Sequence, residues 1–87
     1  MSTITPLMKQ YFSIKEKYQD CFVFFQVGDF FELFFDDAKK ASALLAITLT
    51  KRGYHNNEEV PLCGVPQHMI EVHSLKLVKL GYTVVIC

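Results

Sequence analysis

Apolar positions along this chain fall into two rhythms. From residue 6 to 18, Leu7, Met8, Tyr11, Phe12 and Ile14 recur at helical steps with Lys9, Lys15 and Lys17 interleaved, which predicts an amphipathic helix. Thr5-Pro6 supplies its start, a capping hydroxyl followed by a proline whose missing N–H needs no partner in the first turn. Residues 21–27 (CFVFFQV) and 30–35 (FFELFF) are short, β-rich and almost wholly apolar, so both read as strands, with Gly28-Asp29 as a tight hairpin between them. Asp36 and Asp37 then suit the start of a helix over 37–46, as caps and as charges at the positive end of the macrodipole.

The second half of the chain is less regular. ITLTK (47–51) returns to strand chemistry, and GYHNNEE (53–59) reads as a polar, exposed loop. Residues 60–65, with Pro61 and Gly64, suggest a short irregular strand or turn. Pro66 opens a helix over 67–80 that Gly81 ends as a C-cap, and YTVVIC (82–87) is a last strand. The order α-β-β-α-β-(β)-α-β implies an α/β (α+β-like) domain, a mixed β-sheet flanked by helices. The final apolar strand lacks a closing element, so residues 1–87 are expected to form one domain truncated at its C-terminus, a fragment of a longer protein.

Composition narrows the function. With 87 residues, there is room for one small domain, and 51% hydrophobic content argues for a packed core. Nine basic residues balance nine acidic ones, for a formal charge of zero. A domain that gripped nucleic acid unaided would carry a basic excess to displace phosphate counterions; any contact with DNA is therefore local, with affinity supplied from elsewhere. Cys21, Cys63 and Cys87 are odd in number and widely spaced, suggesting reduced thiols in the cytoplasm and neither a disulfide framework nor a zinc site. The first residues lack the pattern of a signal peptide, and no apolar run approaches the ~20 residues of a membrane span.

The stretch GDFFELF (28–34) carries the most information. Strand alternation puts Phe30, Glu32 and Phe34 on one face and Phe31, Leu33 and Phe35 on the other. The second face is purely apolar and is the expected core. On the first, an unpaired buried Glu would be costly, so the beginning of that face should reach solvent and present Phe30 and Glu32 together just after the glycine turn. The plainer reading makes the whole aromatic strand core and Glu32 merely solvated.

GDFFELF followed by DDAKKAS (36–42), ITLTKRG (47–53) and PLCGVPQH (61–68), in this order and spacing, resembles the mismatch-recognition domain that begins MutS proteins. TPLMKQYFSIKEKY (5–18) is similar to the first helix of that family and LVKLGYTVVIC (77–87) to its later helix-to-strand segment, so the resemblance runs from about Thr5 to Cys87. It implies that Phe30 wedges into duplex DNA from the minor groove and stacks on a mispaired or unpaired base, and that Glu32 hydrogen-bonds that base. Gly28 and Asp29 would form the presenting turn, and Gly64, Val65 and Pro66 a turn near the DNA backbone; Lys51 and Arg52, just after a strand and beside a polar loop, read equally as phosphate contacts or as a solvated basic pair. The implied partners are double-stranded DNA with mismatches or small insertion/deletion loops, the remaining MutS domains and a second subunit in a homodimer, in a bacterial-type cytoplasmic, DNA-associated setting and away from membranes. ATP and Mg²⁺ belong to an ATPase domain of the family; without a G-x-x-x-x-G-K-[ST] loop, this chain should need no cofactor and carry no catalytic site. It departs from the family in having Phe31 where Tyr is common, and in a locally acidic 54–59 loop.

Rival chemistries are weaker. Asp29, Glu32, Asp36 and Asp37 lie within nine residues and invite a Mg²⁺-nuclease reading, but Asp36 and Asp37 have a use as caps, alternation separates Asp29 from Glu32, and no Lys completes the set. Cys63, His55, His68 and His73 do not have zinc-ligand spacing, since His68 and His73 are five residues apart and off one helix face. The runner-up is a protein-interaction module that docks a larger assembly through its aromatic strand.

Overall fold

In a computed structural model, residues 6–87 are described. The elements are α1 (Pro6–Lys17), β1 (Phe22–Val27), β2 (Phe30–Phe34), α2 (Phe35–Leu45), β3 (Thr50–His55), β4 (Glu58–Pro66), a 3₁₀ turn (Gln67–Met69), α3 (Ile70–Lys79) and β5 (Val84–Ile86). The expected cap by Thr5 lies outside the described residues. The strands form a single sheet in the order β3-β4-β2-β1-β5. All neighbours are antiparallel except β1 and β5, which run parallel across the α3 crossover. The fold is thus the mixed α/β (α+β-like) arrangement expected.

Strand alternation sorts the core into two layers. Phe22, Phe24, Phe31, Leu33, Cys63 and Val65 point to one side, where Ala38, Ala41 and Leu45 of α2 and Leu77 of α3 cover them. Val23, Phe25, Phe34, Val60 and Leu62 point to the other, against Met8 and Tyr11 of α1. Because helices cover both faces, β1 and β2 can be apolar at nearly every position, a pattern common in doubly covered sheets. The Tyr11 hydroxyl donates to the Phe34 carbonyl at 3.4 Å, and burial first, with Asp37 and Asp36 behind it, raises its pKa well above the ordinary 10.0.

Turn chemistry fixes the register. Val27 pairs with Phe30 across a two-residue loop in which Gly28 has φ 61°, a value glycine adopts without strain. Gly81, at φ 97°, ends α3 as expected: its N–H donates to Val78 O and the Tyr82 N–H to Leu77 O, both at 3.0 Å, the paired bonds of a Schellman cap.

Several expectations need correction, the first being that the strand expected over 47–51 begins only at Thr50. Residues 53–59 are not a loop: His55 pairs with Glu58 around Asn56-Asn57, whose φ values of 53° and 66° meet the type I′ requirement for positive φ at both central positions. Residues 60–65, open between strand and turn, are strand, part of a nine-residue β4 that runs on to Pro66, so Gly64, Val65 and Pro66 form no turn. Asp37 does not cap α2, whose first turn has no side-chain cap. Its Oδ2 instead accepts from Val23 N at 3.1 Å, and both carboxylate oxygens lie 3.0 Å from Lys15 Nζ, tying α1, β1 and α2 together. Phe35, expected in the strand, turns out at φ 57° and stacks on Phe12 at 5.4 Å.

Asparagine enters the left-handed region more readily than most residues but still less freely than glycine. Asn57→Gly should therefore stabilise the β3–β4 hairpin by about 0.5 kcal/mol, a rise in melting temperature of roughly 2–4 °C, read by thermal circular dichroism. An unchanged or lower melting temperature would contradict the turn assignment.

Candidate nucleic-acid interface

The Gly28-Asp29 turn opens directly onto Phe30, the first residue of β2. Its backbone is held on both sides, by Val27 of β1 and Pro66 of β4, and the turn is pinned further by Gln67 N donating to Asp29 O at 2.9 Å. Phe30 nevertheless remains 49% exposed, whereas Phe34, four residues on and on the same face, is 2% exposed. The difference is positional. α1 covers the Phe34 end of this face, while Phe30 stands at the rim beside Asp29, Pro66, Gln67 and His68 in an open depression. On a doubly paired backbone, an exposed aromatic residue has only its side-chain rotamer freedom left to lose on contact.

Glu32 is placed differently from the expectation of an exposed pair. Its side chain is 7% exposed. Leu7 and Met8 of α1 and Arg52 and Tyr54 of β3 share with it a cavity of about 180 Å³. The misread hairpin is the cause: once 50–55 is a strand, it brings Arg52 alongside Glu32. Arg52 Nη1 stands 3.6 Å from Glu32 Oε2, and among the described residues Glu32 Oε1 has no hydrogen-bond partner. Gly64 lies opposite Glu32 on β4; a Cβ there would sit 3.7 Å from Glu32 Cγ and 4.0 Å from Phe30 Cδ1. Glycine thus leaves the flank of both side chains bare.

The remaining sequence-selected residues divide. Asp29 is exposed in the turn. Lys51 lies 3.8 Å from Glu59, so it and Arg52, both expected to be free for phosphates, each face a carboxylate in the unliganded protein. Asp36 is exposed and Asp37 is committed to Lys15. Among the described residues no three His, Cys, Asp or Glu side chains gather as a metal site would require. The cysteines are free, and burial, helped by Asp37, pushes the Cys63 thiol up to about 11, too high for a reactive thiolate. Sequence reasoning missed the Arg52–Glu32 contact and the flank made by Gly64. The available hint was that ITLTKRG and PLCGVPQH accompany GDFFELF in the resemblance.

Burial raises the Glu32 carboxyl above its ordinary 4.5, and Arg52 offsets this in part. The folded chain therefore binds this proton more tightly than the unfolded chain does. The corresponding stability is complete below 4.5 and is lost as pH rises through the higher folded value. Glu32→Gln should accordingly melt above the wild type at neutral pH, with the gap closing in acid below the ordinary carboxylate value. A gap independent of pH, followed by calorimetry, would show that burial does not burden the charged form.

Fold and site together define a small mixed-sheet domain that presents one aromatic ring at the rim of a sheet face and keeps an under-satisfied acid just behind it. Over residues 5–87 the chain matches the family model for MutS domain I, and it belongs to that family. It is 52% identical over 87 residues to the DNA mismatch repair protein MutS of Staphylococcus carnosus (strain TM300) and 51% identical over the same length to that of Ruegeria pomeroyi (strain ATCC 700808 / DSM 15171 / DSS-3). Each comparison covers 100% of this chain and 10% of the relative, so the chain spans about a tenth of those proteins. Among the described residues no helix is long and apolar enough to cross a membrane.

Proposed function

We propose that residues 1–87 form one module, the mismatch sensor of a longer MutS protein. In this reading Phe30 enters the minor groove and stacks on a mispaired or unpaired base, and Glu32 hydrogen-bonds that base. The exposure of Phe30 on an otherwise buried aromatic face carries the proposal. A mismatch has weaker pairing and stacking than a matched step, so a wedge that pries bases apart selects deformable sites without reading sequence. Stacking on an aromatic ring suits every base, as a detector of varied mispairs needs.

Glu32 refines the selection. A carboxylate beside phosphates weakens binding unless it meets a base donor, or is protonated and donates to a base acceptor. Its burial favours the protonated form. Gly28 and Asp29 shape the turn, and Lys51 and Arg52 reach phosphates once they leave their carboxylates. Zero net charge fits a module that discriminates while the rest of a homodimeric protein, in the cytoplasm and on DNA, grips the backbone. ATP and Mg²⁺ would act in that remainder, because the sequence here has no phosphate-cradling loop.

A protein-docking reading draws support from Val72, Leu75, Val78 and Leu80, which are exposed on or next to α3. The aromatic strand itself is an interior strand of the sheet and offers no free edge. The two readings part in one experiment. Binding to a G·T duplex and to its matched counterpart is measured for a full-length MutS protein carrying this domain, with Phe30 and with Phe30→Ala. Loss of the G·T preference with matched binding retained supports mismatch sensing; an intact preference removes Phe30 from the DNA.

A further inference from the structure

Among the described residues the acid of the site has one charged neighbour, and that neighbour stands in solvent. Arg52 is 68% exposed and Glu32 7% exposed at the 3.6 Å contact between them. That distance is ionic but too long for a hydrogen bond, so the guanidinium donors are not consumed. The other described residues around the carboxylate bring no charge: Leu7 and Met8 from α1, Phe34 from β2, and Val60 and Leu62 from β4 are apolar, and β3 adds Gly53 and Tyr54 besides Arg52. Lys51 is turned to Glu59. Among the described residues, Arg52 is thus the only basic group lining this cavity with Glu32.

We propose that Arg52 is a latch on Glu32: standing against the carboxylate in the free protein it favours the charged form, and a phosphate of the bound duplex draws it away, so that Glu32 takes a proton from solvent and donates it in a hydrogen bond to the mispaired base. This rests on the reading of Glu32 as the base-contacting acid. A guanidinium fork matches phosphate geometry, and the loose contact to Glu32 offers little to hold it back. Its departure removes the one influence that favours the charged acid, while the arriving phosphates add another against it. A single movement then couples backbone contact to base contact, and Arg52 acts as a positioning residue through Glu32.

The test uses a full-length MutS protein carrying this domain. The ratio of G·T to matched affinity is followed across the neutral pH range for the wild type, Arg52→Met, Arg52→Lys, Glu32→Gln and the Glu32→Gln/Arg52→Met double variant, with Phe30→Ala in parallel. Wild-type discrimination should fall as pH rises. Arg52→Met should move that fall to higher pH and reduce the salt dependence of binding by about one phosphate contact. Arg52→Lys should restore both, and Glu32→Gln should be flat with pH whether or not Arg52 is present. An unmoved midpoint in Arg52→Met, or a pH-independent wild type, overturns the latch even where Phe30→Ala abolishes discrimination and the sensor reading stands. If Phe30→Ala leaves discrimination intact, the sensor reading fails, and the latch with it.

Discussion

Phe30→Ala should weaken binding to a G·T duplex by roughly 5- to 150-fold and leave binding to the matched duplex nearly unchanged. The range follows from base–aromatic stacking, about 1–3 kcal/mol per base, at 1.4 kcal/mol per tenfold in affinity. Two features make the test clean. Phe30 is 49% exposed, so truncation removes about half the contact area a buried Phe would lose, and the fold should survive. Its backbone is anchored by Val27 and Pro66, so the turn should stay in place. Phe30→Leu separates wedging from stacking. It keeps an apolar wedge without a π-face, and it should retain part of the discrimination if prying the step open matters as well as stacking. Phe30→Tyr keeps the ring and should behave nearly as the wild type. Fluorescence anisotropy with both duplexes at one fixed salt concentration reads all three, since affinities taken at different ionic strengths are not comparable. Equal losses for matched and mismatched DNA would make Phe30 a general contact instead of a sensor.

How much of this was legible in the sequence depended on whether burial left a period to see. The β1–β2 hairpin was legible because Gly28-Asp29 interrupts two apolar runs. Helix α1 was legible because its apolar residues keep helical spacing on a charged background, and the end of α3 because Gly81 is the residue a Schellman cap demands. The strand expected over 47–51 caught only the first two residues of β3; the rest was hidden because five of the six residues of β3 are exposed and none is buried, so no alternation marks it. Its partner β4 stayed open between strand and turn over 60–65, because Pro61 and Pro66 argue against an interior strand. The structure resolves that conflict at the ends of β2: Pro66 pairs with Phe30, its first residue, and Pro61 lies just past the Phe34↔Leu62 pair at its last. The Asn-Asn step was the available signal, since asparagine tolerates the left-handed conformation. The site inherited the error. Alternation placed Phe30 and Glu32 on one face correctly, but reading 53–59 as a loop left Glu32 uncovered and Arg52 without its carboxylate.

Asp37→Ala should be the most damaging of the single substitutions considered, destabilising the domain by about 3 kcal/mol or more. Breaking one side of a buried ion pair typically costs about 3–5 kcal/mol. The lower end applies because the Lys15 side chain is 22% exposed and still donates to the Cys21 carbonyl. The Val23 N–H has no such outlet: Val23 is fully buried and its donor would lose the Asp37 oxygen 3.1 Å away, a penalty of about 1–3 kcal/mol by itself. Against a total stability of roughly 0.05–0.15 kcal/mol per residue, this leaves little margin in a domain this small. Asp37→Asn keeps an acceptor for Val23 and should fall between, and Lys15→Met in the Asp37→Asn background should recover part of the loss by removing the stranded charge. Urea unfolding should show a lower midpoint at unchanged slope for each variant; a changed slope would mean that α1 had come away from the sheet. Asp37 lies just past one end of β2 and Phe30 opens the other, so the two substitutions should split cleanly. Asp37→Ala should lower stability and, in whatever fraction remains folded, spare the G·T preference that Phe30→Ala removes, because the wedge is anchored by β1, β4 and the Gly28-Asp29 turn and not by the Lys15–Asp37 tie.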